Sequence, residues 1–258
     1  MKNKYSLEII FSEFRSRDNC NQPDSWSNNF RLDPTYSSVK TYFPESKITF
    51  ITDDPKSVEG YDDIEVQVIS EHGLIQDENS KPYDPRWGCN NSDYYQIQGL
   101  LNSKADIAIS MDSDLMFVSD EVRVILPMIE RFGICCPTNE RQMVKVDGIY
   151  TRGNGGDYHI GEDETMGNLL TYDLWWNGFH TKNDRARKLL EEFARLMKEN
   201  PKRSPLQYTR AAWNTKIYPY SMPVQFGVGN GHRGCGNEII LHVGHLHVQD
   251  YYLEERIL

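Results

Sequence analysis

The sequence predicts an α/β fold, in which helices cover both faces of a mostly parallel, doubly wound sheet. Strand-like and helix-like segments alternate along the first 120 residues, and this order is typical of parallel β-α-β units. The strand-like segments are short apolar or alternating runs, and polar, turn-forming residues follow each of them. The chain has 258 residues, of which 38% are apolar, so it is long enough to bury a substantial core. We expect residues 1–258 to form a single domain.

Two helices and four strands are predicted in the first half of the chain. A short helix over residues 34–46 is closed by Pro44, and a longer helix over residues 91–104 carries Tyr94, Ile97 and Leu101 on one face. The strands are predicted at residues 6–12, 47–54, 63–70 and 105–111. In a sheet built this way, ligands bind at the carboxyl ends of the strands.

The second half is less regular, and its clearest element is an amphipathic helix that ends before Pro201. The apolar stripe of this helix consists of Ala186, Leu189, Leu190, Phe193, Ala194 and Met197. A polar, glycine-rich stretch over residues 138–168 is predicted to be a loop that folds over a bound ligand. A late strand is predicted within residues 237–250, which contain His242, His245 and His247.

Composition argues against several classes of protein. The formal charge is −10 and no block of basic residues occurs, which argues against a nucleic acid as the main ligand. The five cysteines form no C-x-x-C pair, so no zinc site or disulfide framework is indicated, and Cys135 and Cys136 are expected to be buried thiols of a strand. No run approaches the ~20 apolar residues of a membrane span. The apolar run near the N-terminus is too short for a signal peptide, so we expect a cytoplasmic protein.

The main functional signal is a pair of carboxylates, Asp112 and Asp114, directly after the apolar strand at residues 105–111. Like charges side by side cost free energy unless a cation lies between them. The pair suits a hard divalent cation such as Mg²⁺ or Mn²⁺, which takes oxygen ligands and keeps positions free for phosphate oxygens. The alternative is that one aspartate caps the next element while the other is solvated.

The segment "ISMDSDLMF" resembles the D-x-D motif of nucleotide-sugar-dependent glycosyltransferases with the GT-A fold. Further segments resemble glycosyltransferase family 8 in their order along the chain. "MGNLLTYDL" (166–174) is similar to a strand of that family, and the amphipathic helix follows it as in the family. "SPLQYTRAAW" resembles the D-Q segment with Gln207 at the glutamine, and "YPYSMPVQFGVGNG" resembles the segment after it. "LHVGHLH" resembles a shortened H-x-x-G-x-x-K-P-W motif with His242 at the first histidine.

The resemblance implies a Rossmann-like GT-A fold whose residues 1–120 bind a nucleotide sugar and whose residues 121–258 bind the acceptor. The second part would also supply the third metal ligand. Mn²⁺, or Mg²⁺, would be held by Asp112, Asp114 and His242 and would bridge the diphosphate of the donor, which we expect to be a UDP-sugar. The sugar would pass to a hydroxyl group of a glycan or of another acceptor.

Further donor contacts are expected from the same resemblance. His247 falls at or near the lysine of the family that contacts phosphate. Phe11, Ser12 and Asp53 end the first two strands, where this fold type holds the nucleotide base and ribose.

The chain departs from the family in two places. The arginine of the helix before the D-x-D motif is absent, with Tyr95 or Gln96 in its place, and Arg86 is a candidate to compensate for it. The K-P-W ending is missing as well. These departures favour a second hypothesis, a non-catalytic protein that binds a nucleotide sugar or a glycan. A third hypothesis is a phosphatase of the haloacid dehalogenase type, whose motif is also an apolar strand that ends in D-x-D.

The stereochemistry of transfer has two alternatives. The family resemblance implies retention, with Gln207 near the reacting carbon. Asp163, within "GEDE", resembles the aspartate that deprotonates the acceptor in inverting enzymes of this fold. Three tryptophans, Trp175, Trp176 and Trp213, are candidates to stack on sugar rings, although core packing is the commoner role of tryptophan.

Overall fold

The computed structural model describes residues 4–14, 32–70, 74, 87–146, 149–152, 170–172, 174–199, 204–229 and 237–243. The helices within these ranges are α1 (Asp33–Tyr42), α2 (Trp87–Asn102), α3 (Ile125–Phe132), α4 (Asp184–Glu199) and α5 (Ser204–Thr215). The strands are β1 (Leu7–Glu13), β2 (Lys47–Thr52), β3 (Ile64–Val68), β4 (Ile107–Met111), β5 (Leu115–Phe117), β6 (Ile134–Val146), β7 (Ile149–Arg152), β8 (Leu170–Tyr172), β9 (Trp176–His180), β10 (Tyr220–Met222) and β11 (Ile240–His242). No described helix combines the length and the apolar character needed to cross a bilayer.

The predicted α/β architecture is confirmed. The central sheet has the strand order β10-β6-β9-β4-β1-β2-β3, and β7 and β8 both pair with β6. Strands β3, β2, β1 and β4 are mutually parallel, whereas β9 runs antiparallel to both β4 and β6. The carboxyl ends of β1, β2 and β4 therefore meet at one edge of the sheet.

The core lies on both faces of this sheet because β1 and β4 are buried on both sides. Side chains of α1 and α3 pack on the face that carries Ile9 and Phe11, and side chains of α2, α4 and α5 pack on the face that carries Ile10. The predicted stripe of α4 is confirmed, since all six of its apolar residues are buried. Such burial stabilises the fold by about 1.5–3 kcal/mol for each large apolar side chain. Cys135 and Cys136 are buried free thiols of β6, as predicted.

A second, smaller sheet positions the end of the chain next to the D-x-D segment. After β4, the backbone turns at residues 112–114, where the N–H of Leu115 donates to the Asp112 carbonyl at 3.3 Å. Strand β5 follows and pairs antiparallel with β11, so that Leu115 lies opposite His242. This pairing brings His242 to the same edge of the main sheet as Asp112 and Asp114, which are 130 and 128 positions before it in the sequence.

One prediction for the second half is wrong in part, and one strand was not predicted. Part of the loop predicted over residues 138–168 is regular structure, because β6 continues to Val146 and pairs with β7. Residues 153–169 lie outside the described part of the chain. A short strand, β8, is described within the segment 166–174 that resembles a strand of the family, and the strand that was not predicted is β9, which lies between β8 and α4 and pairs with β4.

Glu8 offers a test of the buried polar contacts in the sheet. Its side chain accepts hydrogen bonds from Thr49 Oγ1 at 2.7 Å and from Ser103 Oγ, and lies 3.1 Å from Lys47 Nζ. Burial alone would raise the pKa of Glu8, but hydrogen bonds from Ser103, Thr49 and Lys47 outweigh it and lower the pKa below its usual range. Glu8 therefore stabilises the fold above its unfolded-state pKa, and this stability is lost as the pH falls through the folded-state pKa.

We expect Glu8→Gln to lower the free energy of unfolding at pH 7 by about 1.5–3 kcal/mol, because it removes the charge that these donors stabilise. Urea unfolding at pH 7 and pH 3.5 measures the effect, which should shrink at the lower pH because Glu8 is then protonated in the unfolded chain, so that its lowered folded-state pKa contributes less to stability. Glu65→Gln is the control, since Glu65 contacts the same Lys47 at 3.0 Å from an exposed position and should change stability by less than ~0.5 kcal/mol. An equal loss for Glu8→Gln at both pH values would contradict the prediction.

Candidate metal and donor site

Asp112, Asp114 and His242 converge at the carboxyl edge of the sheet. His242 Nε2 lies 2.9 Å from Asp114 Oδ1 and 3.8 Å from Asp112 Oδ2. One ligand atom from each of the three residues lies within 4.8 Å of the others. Ligands bound to one cation at about 2.1 Å in octahedral geometry are about 3.0 Å apart when adjacent, so the three side chains fit a shared ion after small adjustments.

Backbone hydrogen bonds fix the segments that carry these side chains. The N–H of Asp112 donates to the Trp175 carbonyl at 2.8 Å, and the N–H of Val243 donates to the Asp114 carbonyl at 2.9 Å. The N–H of His242 donates to the Val228 carbonyl at 2.8 Å. The three ligands are thus attached to strands and tight turns, and this rigidity favours a preformed metal site.

The electrostatics of the site also favour a cation. Desolvation raises the pKa of Asp112 well above its usual range, and the negative charges of Asp114 and Asp93 add to this rise. His242 and a hydrogen bond from Gln96 act in the opposite direction. Gln96 Nε2 donates to Asp112 Oδ1 at 2.8 Å, while Asp112 Oδ2 is the oxygen that faces His242. A divalent cation would relieve the repulsion between the carboxylates, and the O,O,N donor set suits Mn²⁺ better than Mg²⁺.

A cavity of about 390 Å³ lies at the same edge of the sheet. Its lining includes Glu13 at the end of β1, Lys56 and Tyr61 after β2, and Ser113 between the two aspartates. The cavity therefore joins the ends of two parallel strands to the candidate metal site, and its position suits a nucleotide. A larger cavity of about 740 Å³ lies at the amino ends of the strands, lined by Glu8 and Lys47 among others, and it is remote from this chemistry.

The structure places some of the other predicted residues and not others. Phe11 packs in the core and Ser12 is buried, so neither lines the cavity, and Glu13 does so instead. Asp53 follows β2 at the correct edge but is not part of the lining. Arg86, Asp163, His245 and His247 lie outside the described residues.

Gln207 lies on α5, one turn after Ser204, and is buried. Ser204 Oγ donates to Asp93 Oδ2 on α2, and the charge of Asp93 acts on Asp112. The first turn of α5 is therefore held near the metal site through Asp93. This position is compatible with the predicted role of Gln207 near the reacting carbon, which stays a prediction.

Three residues that contribute to the site were not predicted, namely Glu13, Asp93 and Trp175 as a neighbour of His242. The indole ring of Trp175 lies 4.7 Å from the imidazole of His242, with an angle of 69° between the rings. Trp176 is excluded as a sugar platform because its side chain is buried, with Nε1 donating to the Phe226 carbonyl at 2.7 Å. Of these three residues, only Asp93 could have been recognised from the sequence, since it shares one face of helix α2 with Gln96.

Comparison with known proteins identifies the fold. No protein-family model matches the sequence, and no curated protein matches it. The apo structure of the bifunctional glycosyltransferase WbbM matches 94% of this chain with a TM-score of 0.53 and 9% identity, over 46% of its own length. Mouse xyloside xylosyltransferase 1 matches 92% of this chain, and 97% of its own, with a TM-score of 0.52 and 10% identity. The chain has the GT-A fold.

The galactosyltransferase LgtC, solved with donor and acceptor sugar analogues, also matches 91% of this chain and 86% of its own, with a TM-score of 0.51 and 10% identity. At such low identities the matches show the GT-A fold and do not show a particular family within it. The chain spans about half the length of WbbM. The GT-A fold argues against the haloacid dehalogenase hypothesis, because the D-x-D strand β4 is central and three strands precede it in the chain.

Proposed function

We propose that the protein is a metal-dependent glycosyltransferase that transfers a sugar from a nucleotide diphosphate donor, a UDP-sugar, to a hydroxyl group of a glycan. The observation that supports this most strongly is the convergence of Asp112, Asp114 and His242 at the carboxyl edge of a GT-A sheet. A cation held there would neutralise negative charge that develops on the diphosphate as the glycosidic bond breaks. The same cation explains how a protein with a charge of −10 binds an anionic donor.

The residues of the chain have distinct roles in this proposal. The two aspartates and His242 would hold the ion, and Gln96 fixes Oδ1 of Asp112 so that Oδ2 faces His242. The cavity next to Ser113 would take the nucleoside, with the Glu13 carboxylate in position to accept hydrogen bonds from ribose hydroxyls. The residues that line this cavity would exclude water from one side of the donor.

Polar atoms next to the metal ligands suit the sugar part of the donor. Gln96 Oε1, Ser110 Oγ and the Asn177 amide are buried and have no hydrogen-bond partner among the described residues. Ser110 on β4 lies opposite Asn177 on β9, so their side chains share one face of the sheet. Buried polar atoms of this kind cost about 1–3 kcal/mol each unless water or a ligand pairs with them. Sugar hydroxyls, which both donate and accept, would satisfy them if the site opened, because these atoms are enclosed in this structure.

Transfer with retention is proposed, with Gln207 near the reacting carbon. The position of Gln207 in the first turn of α5 supports this assignment, because Ser204 attaches that turn to Asp93. Inversion with Asp163 as the base is the alternative. The anomeric configuration of the product, measured by NMR directly after transfer, distinguishes the two.

A thermal-shift screen tests the proposed function. Nucleotides and nucleotide sugars with different bases are added together with Mn²⁺ or with EDTA. The nucleotide sugars that raise the melting temperature are then incubated with the protein and assayed for release of UDP. We expect UDP and a subset of UDP-sugars to raise the melting temperature only with metal, and at least one of them to be cleaved. Metal-dependent UDP binding without transfer or slow donor hydrolysis would favour the non-catalytic hypothesis. Binding that does not need metal would contradict the proposal.

A further inference from the structure

Trp175 contacts both segments that carry the metal ligands. Its carbonyl accepts a hydrogen bond from the N–H of Asp112 at 2.8 Å. Its indole ring packs against the imidazole of His242 with ring centroids 4.7 Å apart and an angle of 69°. The two residues are 130 positions apart in the sequence, and Trp175 adds a further link between segments that the pairing of β5 with β11 brings together.

The indole of Trp175 is also confined from the side of residues 227–229. A Cβ atom added to Gly229 would lie 2.6 Å from Cη2, 3.1 Å from Cζ3 and 3.3 Å from Cζ2 of Trp175. Gly229 does not have a positive φ angle, so its backbone conformation alone does not require glycine. The glycine is needed because the distal ring of the indole occupies the space that a side chain would take.

The segment that confines the indole is the one that holds β11. The N–H of Val228 donates to the Ile240 carbonyl at 3.0 Å, and the N–H of His242 donates to the Val228 carbonyl at 2.8 Å. The indole of Trp175 therefore contacts both Gly229 and His242, and a change in its position would alter the packing around the imidazole. Outer residues that orient metal ligands in this way commonly change metal affinity by 10–100-fold when they are replaced.

We propose that Trp175 is a positioning residue of the metal site. It holds the imidazole of His242 in the position where it can share a cation with the carboxylate of Asp112. This inference rests on the proposed function for its metal. It deepens that function by assigning the geometry of the site to a residue that is not itself a ligand. Gly229 also contributes, since the absence of a side chain there leaves the space that the distal ring of the indole occupies.

The test measures Mn²⁺ affinity from the EPR signal of free Mn²⁺, with and without UDP, for the wild type, Trp175→Phe, Gly229→Ala and the double variant. We expect each single variant to weaken Mn²⁺ binding about 10-fold or more. In the Trp175→Phe background, Gly229→Ala should have little further effect, because phenylalanine lacks the distal ring that the new methyl group would meet. Such non-additivity is not expected from two unrelated losses of stability.

Phe132→Leu is the control, since Phe132 is an exposed aromatic residue at the end of α3, where its ring stacks on Tyr220. It should leave Mn²⁺ affinity unchanged. Circular dichroism confirms that each variant is folded at the temperature of the measurement. Wild-type Mn²⁺ affinity in folded Trp175→Phe and Gly229→Ala, or additive losses in the double variant, would overturn the inference and leave the proposed function intact. A wild type that binds Mn²⁺ but transfers no sugar would overturn only the proposed function, and one that binds no Mn²⁺ would overturn both.

Discussion

Asp112→Asn and Asp114→Asn are each expected to lower the rate of donor cleavage by about 10³-fold or more. A bound cation supplies several kcal/mol of charge stabilisation in the transition state, and each 1.36 kcal/mol corresponds to a factor of ten in rate. Asparagine keeps the size of each side chain but removes the negative charge that attracts the cation. The rate of UDP release from the donor found in the screen, at saturating Mn²⁺, measures the effect.

The matched control for these two variants is Asp184→Asn, because Asp184 is exposed in the first turn of α4, which follows the end of β9 at the opposite edge of the sheet. It should retain the wild-type rate. If either site variant kept more than about a tenth of the wild-type rate, the carboxylates would not hold the catalytic ion.

The same Asp112→Asn variant is expected to be more stable than the wild type when no metal is present. Because burial and the charges of Asp114 and Asp93 raise the pKa of Asp112, its ionised form is less favourable in the folded protein than in the unfolded chain. Removing the charge should raise the free energy of unfolding in EDTA by about 0.5–2 kcal/mol, as is usual when an unfavourable charge is removed.

Adding Mn²⁺ should reverse this order. At a concentration of about 100 times the dissociation constant, a ligand stabilises the folded state by about 2.7 kcal/mol, and only the wild type binds it tightly. Denaturant unfolding of the wild type and of the variant, each in EDTA and in Mn²⁺, measures the four free energies of unfolding. A variant that is less stable than the wild type in EDTA would show that Asp112 has a structural role that outweighs its repulsion.

The first half of the fold was predictable because its signals are local. The apolar runs of β1 and β4 and the alternation in β3 each depend on neighbouring residues alone, and in the second half the same is true of the periodicity of α4. The exact start of α2 was not predictable, since the helix begins at Trp87, four residues before the predicted start at residue 91. Helix ends depend on contacts with the rest of the protein.

The hairpin of β6 and β7 had a signal that was overlooked. Asp147 and Gly148 separate "RQMVKV" from "IYTR", and an Asp-Gly pair between alternating segments is typical of a tight hairpin turn. Strand β9 was harder to predict, since "WNGFH" is a short segment whose burial comes from pairing with β4 on one side and β6 on the other. Its Gly178 leaves room for Ile129 of α3, which a Cβ atom would approach to 2.2 Å.

In the candidate site too, some residues could be identified from the neighbouring sequence, whereas others depend on contacts between distant parts of the chain. Asp112 and Asp114 were identified from the strand that they follow, and His242 from its place in a motif. The contacts of Gln96, Glu13 and Trp175 depend on how distant strands pair, and they could not be read from the order of residues. The donor contacts expected of Phe11 and Ser12 stay a prediction, while β1 ends at Glu13, which lines the cavity.

The most direct test of the metal site is a crystal structure of the protein with Mn²⁺ and UDP, measured at the manganese absorption edge. We expect one anomalous peak about 2.0–2.2 Å from carboxylate oxygens of Asp112 and Asp114 and from Nε2 of His242, with diphosphate oxygens completing its coordination. A peak elsewhere, or UDP bound with its diphosphate away from these three side chains, would contradict the account.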